Sequence, residues 1–111
     1  MTYQEIAELL ASVGVPTAYY QFPEDTGQEP PFICFYYASS ADMYADNSNY
    51  QKIDNLSIEL YTDNKDFDLE KRLENVLAGA GLTWTREETY IQTERMYEVI
   101  YSVEVIIKEE N

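Results

Sequence analysis

Residues 56–77, LSIELYTDNKDFDLEKRLENVL, decide the fold because they join a strand pattern to a helix pattern. Leu56, Ile58 and Leu60 alternate with polar or amphipathic side chains, which is the period of a half-buried strand. A polar turn follows, and apolar residues then recur at helical spacing, namely Leu69, Leu73, Val76, Leu77 and Ala80. The nearest apolar surface for that stripe is the preceding strand, so the stretch predicts a helix packed on a sheet.

The N-terminal part of the chain predicts a capped helix followed by two strands. Thr2 and Glu5 have the spacing of a capping box, and an apolar stripe behind them predicts a first helix over residues 3–13. Gly14 is placed to end this helix as its C′ residue. Strands are expected over residues 17–22 and 32–38. The second of these lacks alternation, which indicates burial on both faces or a central position in the sheet.

The remainder of the chain predicts one long loop, a second helix and further strands. Residues 39–55 show little apolar periodicity and predict an irregular loop, whose second half overlaps a strand expected over residues 51–62. The second helix is expected over residues 67–78, ended by Gly79 or Gly81. Strands follow over residues 82–86 and 95–108. The last would span roughly 45 Å, so we expect it to protrude from the sheet or to bend.

These elements give the order α-β-β-β-α-β-β. Short connections favour antiparallel pairing, so the predicted class is α+β, with two helices packed on one face of a mostly antiparallel sheet. The 111 residues are expected to form a single domain over residues 1–111.

The charge of the chain limits its partners. It carries 21 acidic and 7 basic residues, for a formal net charge of −14. Such a surface repels phosphate, which argues against sequence-specific nucleic-acid binding and against anionic membranes as partners. It also opposes self-association, so an oligomer would need salt, divalent cations or well-matched contacts. No signal-peptide pattern or bilayer-spanning stretch is visible, and synthesis in a reducing cytoplasm is expected.

The residues that usually carry catalysis or bind cofactors are sparse. The chain has no histidine and no glycine-rich phosphate motif. Its one cysteine, Cys34, lies in an apolar run and is expected to be a buried thiol of low reactivity. We therefore predict no enzyme activity, no catalytic residues and no cofactor.

Residues 63–68, DNKDFD, form the one acidic turn with ligand-like spacing. The turn lacks the glycine and the terminal glutamate of a calcium loop. The favoured interpretation is that Asp63, Asn64 or Asp66 caps the second helix, and a weak divalent-ion site is the alternative. No metal ligands are assigned.

Much of the chain resembles small tail proteins of phages and prophages of Gram-positive bacteria. The resemblance is carried by residues 58–66 with Glu70, residues 16–20 with 31–37, residues 45–47 with Tyr50, and residues 88–91 with 96–99. It is similar in particular to the tail terminator group, the tail-completion proteins that join tail to head in long-tailed phages.

The resemblance implies a fold with two helices against a mostly antiparallel sheet, and a function in assembly. Members of that group form hexameric rings that cap the tail tube, stop its growth and meet the head connector. The expected partners are thus further copies of the chain, the tail tube protein and a head-completion or connector protein, in the tail or neck of a virion made in the bacterial cytoplasm. The irregular loop over residues 39–51 and the protruding closing strands are the expected contact surfaces. The candidate interface residues in and beside the loop are Met43, Tyr44, Asp46, Asn47, Tyr50 and Lys52.

Two other functions stay open at this point. A different neck or head-completion protein would carry nearly the same sequence signals. An acidic inhibitor that mimics DNA would also account for the net charge of −14, although such a protein should display carboxylates in phosphate-like rows.

Overall fold

The described residues of the chain form two helices and a six-stranded sheet in the computed structural model. It describes residues 1–23, 26–45 and 49–108, with only the backbone of residues 44, 45, 49 and 50. The predicted order α-β-β-β-α-β-β is confirmed, with one short additional strand, β3, that pairs with β4 beside the main path of the sheet. The elements are α1 (Tyr3–Ala11), β1 (Thr17–Tyr19), β2 (Phe32–Ser40), β3 (Met43–Ala45), β4 (Asn49–Thr62), α2 (Phe67–Gly79), β5 (Trp84–Ile91) and β6 (Met96–Ile107).

The sheet is mixed and mostly antiparallel. Its main path runs β1-β2-β4-β6-β5, and only the β1–β2 pair is parallel. β1 ends at Tyr19, three residues earlier than predicted, because Tyr20 takes a positive φ of 71° that extended strands do not allow. β4 and β6 lie at the centre and pair over their shared length, from Lys52–Ile107 to Thr62–Tyr97.

One face of the sheet forms the core. The cross-strand row of Ile33, Leu60 and Val99 is fully buried, as is the pair of Ile58 and Tyr101 next to it. Because side chains alternate along a strand, these residues all point to the same side. Both helices pack on that side, as predicted, through Ile6, Leu10, Leu69, Leu73 and Leu77.

Local capping sets the ends of both helices. The Thr2 hydroxyl accepts from the Glu5 backbone N–H at 3.1 Å, and the Glu5 carboxylate accepts from the Thr2 N–H at 2.9 Å, which confirms the capping box. The first helix ends at Ala11 rather than at residue 13, since the N–H groups of Val13 and Gly14 donate to carbonyls only three residues back, each at 3.2 Å, and Gly14 takes a φ of +96°.

The second helix ends in a Schellman motif. The N–H of Gly81 donates to the Ala78 carbonyl at 3.0 Å, and the N–H of Leu82 donates to the Leu77 carbonyl at 3.0 Å. Gly81 has a φ of +76°, so of the two glycines considered from the sequence it is this one that supplies the left-handed C′ residue.

The prediction of an irregular loop over residues 39–55 is largely wrong. β2 continues to Ser40, β3 occupies residues 43–45 and β4 begins at Asn49. These segments pair through backbone hydrogen bonds although their side chains lack apolar alternation. β5 likewise extends to Ile91, beyond the predicted residue 86, because pairing with β6 continues along its polar edge. β6 pairs with β4 from residue 97 to residue 107 and does not protrude.

Candidate assembly surface

The candidate interface residues lie on a two-stranded ribbon formed by β3 and the start of β4, which we call the β3–β4 ribbon. Met43 pairs with Gln51 and Tyr44 pairs with Tyr50 in antiparallel register. Met43 is 57% exposed, an unusual degree for a methionine. Asp46 and Asn47 lie outside the described residues. The structure thus brings Met43, Tyr44 and Tyr50 together on one ribbon.

This ribbon extends past the rest of the sheet. The pairing of β2 with β4 ends at Ser40–Asp54, and the pairing of β6 with β4 ends at Lys52–Ile107. Within the described part of the chain, residues 49–51 pair with β3 alone. Three residues of strand span about 10 Å. Half-buried Lys52 marks the boundary between sheet and ribbon. The segment that protrudes from the sheet is therefore this ribbon and not the last strand.

Hydrogen bonds at its base hold the ribbon in a fixed direction. The Ala41 N–H donates to the Ile53 carbonyl at 2.8 Å, and the Ile53 N–H donates to the Asp42 carboxylate at 3.0 Å. The Asn55 amide donates to the Ser39 hydroxyl at 2.7 Å. A strand pair anchored in this way can present side chains at a constant distance from the core, as an assembly contact requires.

A charged cluster ties the edge strand β5 to α2. The Glu70 side chain is 4% exposed and lies 2.7 Å from the Arg86 guanidinium and 2.5 Å from the Lys65 ammonium. Both cations also contact Glu88. The hydrogen bond from Lys65 lowers the pKa of Glu88 from its ordinary value, with burial opposing. The sequence held one signal of this cluster, because Glu70 has the helical spacing of the buried Leu73 and Leu77.

The acidic turn at residues 63–68 caps α2. The Asp66 carboxylate accepts from the Leu69 N–H at 3.0 Å, and the Asp63 carboxylate accepts from the Asn64 N–H at 2.9 Å. This arrangement confirms the capping interpretation for Asp66. Among residues 1–23, 26–45 and 49–108, no group of three or more histidine, cysteine or acidic side chains is placed to hold a metal ion.

The face of the sheet opposite the helices carries a pair of carboxyl groups, which we call the Glu59–Glu98 pair. The Tyr61 hydroxyl donates to Glu98 at 2.6 Å. Burial and the hydrogen bond and negative charge of Glu98 raise the pKa of Glu59 to about 7. Cys34 lies opposite Glu59 on β2, is 5% exposed as predicted, and has a pKa raised to about 11, mainly by burial. The sequence did not indicate this pair, since only the strand register brings its members together.

No helix within the described ranges is long and apolar enough to cross a membrane.

Comparisons with known proteins point to one architecture. No family model matches the chain, and no curated protein matches it. Among solved structures, the chain is similar to a chain of the virion of a native gene transfer agent particle. The two share 17% sequence identity and a TM-score of 0.62, over 96% of this chain and 91% of the other. The chain therefore shares its fold, along nearly its whole length, with a protein of that virion.

Proposed function

We propose that this protein is a structural, non-enzymatic component of a virion, which forms a ring at the end of the tail tube and joins the tail to the head. The observation that carries the proposal is the likeness to a chain of a gene transfer agent virion, which extends over 96% of this chain and 91% of the other.

The open sheet supports assembly into a ring. Its two edges differ: β1 is a strand of three residues and β5 is a strand of eight. Within the described ranges, β5 pairs only with β6 and leaves its outer edge unpaired. A contact between two different surfaces of neighbouring copies is heterologous, and such contacts close into rings when the rotation between copies fits. The β3–β4 ribbon is the second contact surface that we propose, toward a neighbouring copy, the tail tube or the connector.

The inhibitor that mimics DNA is the weaker candidate. Several carboxylates of the described residues are engaged inside the molecule rather than displayed in a row. Glu70 binds Arg86, Glu74 accepts from the Tyr101 hydroxyl at 2.8 Å, and Glu98 accepts from Tyr61. A different neck protein remains the closer alternative, because the fold of a virion protein fits either position.

Native mass measured against protein concentration tests the ring. We expect a discrete oligomer, six subunits in the first instance, at high concentration and in the presence of Mg²⁺. The double variant Tyr44→Ser with Tyr50→Ser should raise the concentration needed for assembly by about tenfold, which is about 1.4 kcal/mol, because tyrosine is enriched among the interface residues whose truncation weakens binding most.

Phe67→Ser is the matched control, since Phe67 is 70% exposed on α2, away from the ribbon. Its assembly should equal that of the unchanged chain. A strict monomer at every concentration, with or without Mg²⁺, would contradict the ring. An oligomer that is insensitive to the ribbon variant would contradict the ribbon as its contact.

A further inference from the structure

An aromatic groove lies between α1 and the first two strands. It encloses about 580 Å³, within the range of ligand pockets. We call it the tyrosine groove, and its lining residues are Tyr3, Ala7, Tyr19, Phe35 and Tyr37. Tyr19 is 56% exposed at the rim, so the groove is open to a partner.

The rings of the groove present both edges and faces. The centroids of Tyr3 and Tyr37 are 4.9 Å apart with the planes inclined at 76°, and those of Tyr19 and Phe35 are 5.3 Å apart at 83°. Tyr19 and Tyr37 are inclined at only 33°, with centroids 6.0 Å apart. Aromatic faces carry negative electrostatic potential, so a concave set of them attracts cations.

Two polar groups lie at the base of these rings. The buried Asp54 carboxylate accepts from the Tyr3 hydroxyl at 2.6 Å. The Tyr37 hydroxyl is buried and has no hydrogen-bond partner within the described ranges. Burial, followed by the proximity of Tyr19 and Asp54, raises the pKa of Tyr37 to about 12, so this hydroxyl stays neutral. A neutral hydroxyl can accept a hydrogen bond from a cationic N–H group.

We propose that the tyrosine groove binds an arginine or lysine side chain presented by a basic segment of a protein partner. The aromatic faces attract the cation, and the negative charge of the Asp54 carboxylate adds to this attraction. The Tyr37 hydroxyl gains the hydrogen-bond partner that it lacks. None of the lining residues is charged. The net charge of −14 adds attraction at long range.

Charge and hydrogen bonding favour a cationic side chain over other occupants of the tyrosine groove. A second copy of the chain also carries −14, so its approach to the groove is opposed by charge, as it is at the proposed ring contacts, whereas a basic segment is attracted. An apolar side chain would fill the volume but would leave the Tyr37 hydroxyl without a partner, as it is in the free protein, and would gain no hydrogen bond there. A cationic side chain satisfies both the aromatic faces and the hydroxyl.

The direct test compares N-acetyl-arginine amide with its neutral isostere, N-acetyl-citrulline amide, by NMR titration of the intact protein. The two probes share their shape, but the urea of citrulline is neutral and has a carbonyl acceptor in place of one NH2 donor of the guanidinium. We expect the arginine probe to shift the ring signals of Tyr19 and Tyr37 with a dissociation constant of about 1–10 mM, and the citrulline probe to bind several-fold more weakly. Equal shifts from both probes, or none from either, would overturn the proposal.

Variants locate the site. Tyr19→Ala changes an exposed residue and should weaken binding of the arginine probe about threefold or more. Tyr37→Phe should weaken binding while leaving the thermal midpoint of the free protein unchanged or raised, since the removed hydroxyl has no partner in the described part of the chain.

Tyr90→Ala is the control, because Tyr90 is 47% exposed on β5, far from the groove. Its affinity for the probe should not change. Unchanged binding in Tyr19→Ala would place the cation elsewhere and overturn the proposal. Self-association that Tyr19→Ala abolishes, without any binding of the arginine probe, would assign the groove to a second copy instead. These readouts do not depend on ring formation, so failure of the ring and failure of this site are distinguishable.

Discussion

Glu59 and Glu98 place two carboxyl groups beside each other on the sheet face that the helices leave uncovered. The groups that face Glu59 there are Cys34 on β2, Tyr61 on its own strand and Glu98 on β6. Burial and the neighbouring carboxylate favour the protonated form, so the folded protein holds this proton to a higher pH than the unfolded chain does.

This pair makes a prediction about pH at the scale of single residues. The pKa of Glu59 is about 7 in the folded state, against 4.5 for the free side chain. Its favourable contribution to folding is therefore complete below pH 4.5 and is lost as the pH rises to 7. Solvent screening reduces the effect to about 1 kcal/mol.

Glu59→Gln should flatten this pH dependence and raise the free energy of unfolding at pH 8 relative to the unchanged chain. Chemical denaturation at pH 5 and pH 8 measures both. The control is Glu104→Gln, an exposed residue of the same sheet, which should keep the slope. An identical slope in Glu59→Gln would mean that the two carboxyl groups do not share a proton.

At the scale of elements, the helices and strands that the sequence predicted correctly are those whose determining residues lie inside or next to the element. α2 was predicted to within one residue because its stripe, its Asp66 cap and its C′ glycine all lie inside or beside the helix. The capping box of α1 was predicted for the same reason. Strands buried on one face, such as the second half of β4, follow from alternation.

Elements held by non-local contacts were missed. β4 begins at Asn49, two residues before the predicted start at Gln51, because these residues carry no apolar alternation and only backbone pairing with β3 makes them strand. β5 has a polar outer edge, which resembles a loop in sequence. Met43, Tyr44 and Tyr50 were thus expected in an irregular loop and lie instead on a two-stranded ribbon. The Glu59–Glu98 pair was not predicted because only the strand register brings its members together.

Edge strand β5 depends on its ion pairs with α2. β6 supports one side of β5, and Arg86 links it to the buried Glu70. Arg86→Ala removes a charged hydrogen bond of about 1–3 kcal/mol and should speed amide exchange in β5 about tenfold, with little change in β4.

Hydrogen exchange followed by mass spectrometry resolves the two strands. Lys71→Ala supplies the comparison, since Lys71 is exposed on α2 and should leave both strands unchanged. Equal protection of β5 in Arg86→Ala and in the unchanged chain would show that β6 alone holds the edge.

At the scale of the whole molecule, charge governs assembly. The molecule is elongated, with extents of 50 × 29 × 23 Å, and each copy brings a charge of −14 to any ring. Repulsion between copies is screened over about 10 Å at 0.1 M salt and about 3 Å at 1 M.

Rising salt should therefore promote association. Between 0.1 M and 1 M NaCl, the concentration at half-assembly should fall by about tenfold or more, as light scattering or sedimentation can measure. The same salt series on a ribbon variant separates general screening from specific contact. Weaker association at high salt would mean that opposite charges, rather than apolar and hydrogen-bonded contacts, hold the ring together.

The position of β6 has a consequence for how the protein is made. β6 lies between β4 and β5 in the sheet, yet it is synthesised after both of them. Until Ile107 has left the ribosome, β4 lacks its main partner and its apolar face stays incomplete on the nascent chain. The core consequently closes only once β6 has been synthesised, in a step that brings distant segments together, and such steps are slow compared with helix formation.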